Sequence, residues 1–349
     1  MPLKLPDLTA TPAFLADWVE FRTVCDEHSF FRLNALKRYW DTQREREESD
    51  PVGEEAVEKN TDEDGVSGPD EDLFIDAVIE ELARRMAVLG EAYPFDFSDD
   101  NLRIRVKPDQ TYGSYCYLFC LFLSHNTAGD LLTGAWLPEI DNNVRDLFQA
   151  CSTVAAAGHV NGCAVSLGSP LPANAVALLE RLRDIYKVFG EGTVVGAVPR
   201  GASPYAKDAQ IDIIAWTPRR DGPGTIYMLG QVASGHNWRE KSVLGGIGSF
   251  HSTWFAPHPQ SDPLAAMFIP HLLASIAAGT REEAMNFLIA EFGMIFDRLS
   301  VPHLALKGIG LTMGVNPPAL IERVTDLEEI MHWVIGEVTY LRLSGEAPL

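Results

Sequence analysis

No run of eighteen or more apolar residues occurs in this sequence. Its most apolar stretch, Tyr115-Cys116-Tyr117-Leu118-Phe119-Cys120-Leu121-Phe122-Leu123, is about half the length a membrane span requires. No membrane contact is expected. The opening Met-Pro-Leu-Lys-Leu-Pro lacks the basic start and apolar core of a signal peptide, so a cytoplasmic location is expected. Cysteine is scarce and scattered. Cys25, Cys116, Cys120, Cys151 and Cys163 are odd in number and form no CxxC pair, which argues against a disulfide framework and a structural zinc site. Buried, reduced thiols are the expectation. Basic residues are also in short supply: 28 Lys and Arg face 49 Asp and Glu, a formal charge of −21. Such a field repels phosphate backbones at long range and provides no electrostatic footprint for nucleic acid. It suits solubility, or docking onto a basic partner. Internal repeats are missing as well.

What is present is a chain of 349 residues, about the length of two domains, with a 46% hydrophobic fraction that allows a sizeable core. Thr11-Pro12 begins a helix in N-cap-then-proline order, with Phe14, Trp18 and Phe21 at helical spacing. A second helix is expected over Phe30 to Trp40. Residues 43–72 are rich in Glu and Asp, carry Pro51, Gly53, Gly65, Gly68 and Pro69, and read as a disordered acidic linker. Leu73, Ile75, Val78, Ile79, Leu82, Met86 and Leu89 then trace one face of a helix that stops at Gly90. Leu102 to Val106 alternates like a strand with one wet face, and the run from Tyr115 is a buried helix or strand.

From residue 141 the pattern becomes α/β. Val144 to Ala157 and Ala173 to Phe189 are helical, the second with Val176, Leu179, Leu182 and Ile185 on its apolar face. Strands are expected over Ile211–Trp216 and Thr225–Gln231, joined by Pro218, Asp221, Gly222, Pro223 and Gly224 as hairpin-loop chemistry. A Gly-rich stretch (Gly245, Gly246, Gly248) leads to a third strand at Met267–Pro270, and Arg281 to Leu299 reads as one long amphipathic helix. The division is thus a mostly helical region over 1–140 and an α/β domain over 141–349.

The chemistry concentrates between Lys207 and Lys241. Asp212 is a lone carboxylate at the entry of the apolar run Ile211-Asp212-Ile213-Ile214-Ala215-Trp216, a position that is unfavourable unless a cation, a hydrogen-bond network or solvent receives it. A local turn cap is the plainer reading of such an Asp. The hairpin brings Asp212 and Gln231 to neighbouring strands, and Lys241 follows ten residues later. Polar groups converging beside a lysine are what metal-assisted phosphodiester cleavage needs, because Mg²⁺ takes few hard oxygen ligands and activates one of its waters. The lysine then orients that water or neutralises developing charge.

The pattern Lys207-Asp208…Asp212-Ile213-Ile214-Ala215-Trp216…Gly230-Gln231-Val232-Ala233-Ser234-Gly235…Asn237-Trp238…Lys241 resembles the PD-(D/E)xK, restriction-endonuclease-like superfamily over roughly residues 140 to 340. More narrowly, it looks like bacterial defence-associated proteins with a similar Asp…Gln…Trp…Lys arrangement. The resemblance implies a mixed-sheet nuclease core. Asp212 and Gln231 would hold Mg²⁺ or Mn²⁺, and Lys241 would be the displaced catalytic lysine on the following helix. It implies a metal-dependent nuclease or nuclease-like effector cleaving DNA in an anti-phage system, with DNA delivered through a partner protein in a multi-protein complex. The sequence departs from that pattern at three places. Ala233 stands where the usual lysine would be, Gln231 replaces an acidic residue, and Gln149 replaces an upstream glutamate for which Glu180 is the substitute candidate. Those departures favour a second reading, a nuclease-fold scaffold or interaction subunit without catalysis.

Other patterns carry less. His236, His251 and His258 lack the cysteine partners and spacing of a zinc site. Gly245-Gly246-Ile247-Gly248 lacks the context of a phosphate loop. Ser166 to Ser169 is no nucleophile elbow, and His159 with Cys163 has no orienting group.

Overall fold

The computed structural model describes residues 3, 4, 6, 10–39, 41–42, 71–98, 103–126, 131–132, 137–167, 175–200, 211–218, 224–273, 281–313 and 319–345. The acidic linker expected over 43–72 lies outside these residues except for its last two, which open a helix. Trp40, Lys207, Asp208 and the centre of the hairpin loop also lie outside them.

Helix α1 (Pro12–Cys25) begins as its sequence dictates: the Thr11 hydroxyl accepts the Phe14 N–H at 3.3 Å, and Pro12 stands where its missing N–H is harmless. The helix expected over Phe30 to Trp40 is not formed as such. Strand β1 (Phe30–Arg32) occupies its start, and only residues 35–39 and 41–42 are helical. The reason is tertiary: β1 and β2 (Phe95–Phe97) pair antiparallel with the two sides of β3 (Arg103–Val106). Phe31 thereby reaches the ring of Trp18 edge-on at 5.7 Å. Helix α2 (Glu71–Leu89) ends where Gly90 adopts φ 55°, as its glycine signals. The apolar run from Tyr115 is a helix, α3 (Tyr112–Ser124), started by a capping box between Thr111 and Ser114 and buried on nearly every side.

The second half is built on a five-stranded mixed sheet in the order β4-β5-β6-β7-β8. Strands β4 (Cys163–Ser166), β5 (Ile213–Trp216) and β6 (Tyr227–Val232) run antiparallel in succession; β7 (Pro263–Phe268) and β8 (Met294–Phe296) run parallel to β6. The expected hairpin is therefore present, with Ile213 opposite Gly230. Helix α4 (Asn142–Val160) follows its apolar periodicity and ends in a left-handed Asn161. Helix α5 (Ala175–Phe189) buries Leu179, Leu182 and Ile185 as expected, but Val176 is 56% exposed and Leu178, Tyr186 and Phe189 take up the remaining buried face.

Over the last third the strand expected at Met267–Pro270 lies earlier, as β7, and one helix is shorter than expected. The Gly-rich stretch belongs to helix α6 (Val243–Trp254), held by Val243, Phe250 and Trp254 in the core despite its glycines. The long helix to Leu299 stops early: α7 (Arg281–Phe292) ends at Gly293, whose φ of 78° breaks it, and Met294-Ile295-Phe296 becomes β8. A Cβ at Gly293 would lie 2.5 Å from the Ala265 carbonyl, so β8 can dock beside β7 only with glycine there. Helices α8 (Val301–Thr312) and α9 (Asp326–Gly345) complete the chain's described part. One apolar cluster joins residues from both halves, including Trp18, Phe21, Phe119 and Phe122 with Ile213, Phe268, Leu304 and Ile330.

Candidate functional site

Because β4 and β6 run opposite to β5, their carboxyl ends lie beside the start of β5. The parallel strands β7 and β8 end on that same side. One edge of the sheet therefore collects Ser166, Asp212, Gln231 and the segments that follow β6, β7 and β8. In open α/β sheets this carboxyl edge is where ligands bind, since the loops there are free of the sheet's own hydrogen bonding.

Asp212 is half-buried on this edge. Its Oδ2 accepts the Val232 N–H at 2.7 Å, and its backbone N–H donates to the Gly230 carbonyl at 2.9 Å. Asp212 thus extends the β5–β6 ladder through its side chain and is held next to Gln231. The Oε1 of Gln231 is buried with no hydrogen-bond partner among the described residues, an arrangement that costs about 1–3 kcal/mol if it persists. Gln149 of α4 reaches the same edge, its Nε2 donating to Ser166 Oγ at 2.7 Å and to the Asp212 carbonyl at 3.2 Å. It presents amide hydrogens there, where a glutamate would present an anion. Glu180 is exposed on α5. The nearby acidic residue that the sequence reading missed is Glu322, which accepts the Ser166 N–H at 3.0 Å and is paired with Arg181. Nothing in its local sequence marks it, since a one-residue bridge between Ala164 and Ile321 brings it there.

Lys241 was expected on the helix after β6. It stands instead just past a short 3₁₀ turn (Trp238–Glu240), ahead of α6, with its N–H donating to the Trp238 carbonyl at 3.1 Å and its side chain exposed. The turn is fixed by Trp238, buried against Phe292. Ala233 is buried in a small apolar cluster with Trp238 and Met267, so the usual lysine position belongs to core.

Further along the same edge is a cleft of about 240 Å³, lined by Asp17, His125, His236, Arg239, His271 and Arg298 among others. His236 follows β6, His271 follows β7, and Arg298 follows β8. Arg298 is fully buried; its Nη2 donates to Asp17 Oδ1 at 2.5 Å, while Nε and Nη1 have no hydrogen-bond partner among the described residues. Asp17 also accepts Arg85 Nη1 at 2.5 Å, and its Oδ2 lies 2.7 Å from His125 Nε2. Burial alone would push the Asp17 carboxyl up, but Arg298, Arg85 and His125 together hold it well below the usual carboxylate range. Arg85 is further bound to Glu20 at 3.0 Å and to Glu81 at 2.9 Å, and Tyr93 and Tyr117 donate their hydroxyls to Glu20. His271 is depressed to about 4, first by burial and then by the neighbouring His236, whose ring lies 4.5 Å away, which favours the neutral imidazole. The Gly235 backbone partly opposes that shift, and Nε2 has no hydrogen-bond partner among the described residues.

The remaining sequence candidates are structural. All five cysteines are free and all but Cys25 are buried, with burial pushing the Cys25 thiol up to about 12. His251 and His258 stack on one another 5.7 Å apart. Among the described residues, no three His, Cys, Asp or Glu side chains are grouped as a metal would need, and no helix is long and apolar enough to cross a membrane. No family model, curated protein or solved structure matches the chain.

Proposed function

We propose that the carboxyl edge of the sheet is the site of a metal-dependent nuclease, or nuclease-like effector, that cleaves DNA phosphodiester bonds in a bacterial anti-phage system. The observation that carries the reading is the pairing of Asp212 with the Val232 N–H beside Gln231, whose buried Oε1 has no hydrogen-bond partner among the described residues. A carboxylate and an amide oxygen are hard donors of the kind Mg²⁺ or Mn²⁺ takes, alongside several waters. Bound there, the ion would supply a water of lowered pKa and offset phosphate charge. Asp212 and Gln231 would hold it, while Lys241, on an exposed turn, would swing onto the scissile phosphate. A surface of −21 does not attract DNA unaided, so the substrate comes through a partner protein.

The second reading, a nuclease-fold scaffold without catalysis, is favoured by the neutral amides at Gln149 and Gln231 and by the backbone N–H already on Asp212. Purified protein incubated with plasmid and linear DNA plus Mg²⁺ or Mn²⁺ separates the two. Cleavage that disappears in Asp212→Ala, together with calorimetric Mn²⁺ binding lost in the same variant, supports the nuclease. Silence from the wild type with no Mn²⁺ uptake supports the scaffold.

A further inference from the structure

We infer that the cleft at the ends of β6, β7 and β8 is a binding site for a phosphate monoester, gripped by Arg298 and Arg239 and recognised through its P–OH by His271. The inference is independent of the nuclease reading, because none of Asp212, Gln231 and Lys241 lines the cleft.

The first argument is an unmet demand for acceptors. Arg298 is 0% exposed, and its Nε and Nη1 have no hydrogen-bond partner among the described residues. A buried guanidinium with two unused nitrogens is unfavourable, and an incoming oxyanion removes that penalty. The acid beside it does not compete. Asp17 Oδ1 is engaged by two guanidinium groups and Oδ2 by His125, so its charge is already met. Arg239, exposed at the mouth and stacked 5.1 Å over Trp238, adds a second positive charge without obstruction.

The second argument identifies the anion. Burial and the neighbouring His236 push His271 toward its neutral form, and its buried Nε2 has no hydrogen-bond partner among the described residues; with the ring proton on the other nitrogen, Nε2 is an acceptor beside the two arginines. A carboxylate, a sulfate or a phosphodiester near neutral pH presents acceptors only. A monoprotonated phosphate or phosphate monoester presents acceptor oxygens to the arginines and a P–OH to His271. The volume of about 240 Å³ is below the range of drug-sized pockets, which suits a terminal phosphate better than a whole nucleotide.

Calorimetric titration of the full chain tests this with inorganic phosphate, sulfate, and a short DNA oligonucleotide carrying either a 5′-phosphate or a 5′-hydroxyl. Saturable phosphate binding is expected, with sulfate weaker by about tenfold or more. Arg298 variants endanger the buried ion pair, so the probes are Arg239→Ala, which should weaken phosphate by about tenfold, and His271→Leu. The latter should bring phosphate down to the sulfate affinity. Both variants should keep the wild-type thermal unfolding, and Asp212→Ala should keep full phosphate affinity. Tighter binding of the 5′-phosphorylated oligonucleotide than of phosphate, with the 5′-hydroxyl strand silent, names a nucleic-acid end as the source. The reverse order names a small metabolite or free phosphate. No saturable binding, equal binding of phosphate and sulfate by the wild type, or indifference to both substitutions overturns the inference.

Discussion

At the scale of single residues, the largest stake lies in Asp17. It is buried between two guanidinium groups that come from sequence positions 68 and 281 residues away. Removing its charge leaves Arg85 and Arg298 sharing one fewer counter-charge in a dry environment, the situation in which broken buried pairs lose about 3–5 kcal/mol. Asp17→Asn is expected to lower the unfolding free energy obtained from urea titration at neutral pH by that order. The pH dependence has a definite sign. The folded-state carboxyl is held below its unfolded value, so its contribution is complete above that value and drains away as pH falls below about 4. The wild type should therefore lose more stability across that acid window than Asp17→Asn does, and parallel losses would refute the assignment. This network could not be read from the sequence, because ion pairs across such separations follow no period. Asp212 was legible for the opposite reason: a carboxylate inside a short apolar run is a local anomaly. Yet what the anomaly most directly does is receive the Val232 N–H, a role that any ligation would have to share.

At the scale of elements, glycine behaves in two opposite ways. Helices α4 and α8 cross with their backbones in close approach: a Cβ at Gly158 would lie 2.0 Å from the Leu304 carbonyl oxygen, and one at Gly308 would lie 2.2 Å from that of Val154. Neither neighbour is a side chain that can turn away. Gly158→Ala and Gly308→Ala should each destabilise by about 1–3 kcal/mol or more, through forced separation of the helices. Gly248, inside α6, faces open space. Gly248→Ala should stabilise by about 0.5–1 kcal/mol, because it adds helix propensity and meets nothing. Urea titrations of the three variants check both signs at once; a neutral Gly158→Ala would mean that the crossing has slack. The same residue type explains which elements were legible. The periodic faces of α2, α4 and α5 and the β5–β6 hairpin stand out from composition alone. Helix α6 did not, since its glycines interrupt the apolar period, and β8 was absorbed into the helix before it because three residues set no period. Both exist because of what they pack against: Phe250 and Trp254 under the sheet, and Phe296 stacked on Phe268 at 4.8 Å.

At the scale of the molecule, the sequence pattern draws a division near residue 140 between a mostly helical region and an α/β domain. Packing nevertheless runs across it. Trp18, Phe119 and Phe122 share a core with Ile213, Phe268 and Leu304, Phe119 meets Trp333 edge-on at 5.1 Å, and Asp17 is paired with Arg298. The cleft draws its lining from α1, from α3 and its cap, and from the ends of three sheet strands, so it exists only while both regions are docked. A shared core and a shared buried ion network make separate melting of the two regions unfavourable, since either alone would expose apolar surface and strand a charge. Urea unfolding followed by tryptophan fluorescence and by far-ultraviolet circular dichroism should give coincident transitions, and phosphate should shift both together if the cleft binds it, because a ligand of the native state stabilises whatever unfolds cooperatively with its site. Separated transitions, with phosphate moving only one, would make the boundary near residue 140 a thermodynamic division and confine the site to the unit that moved.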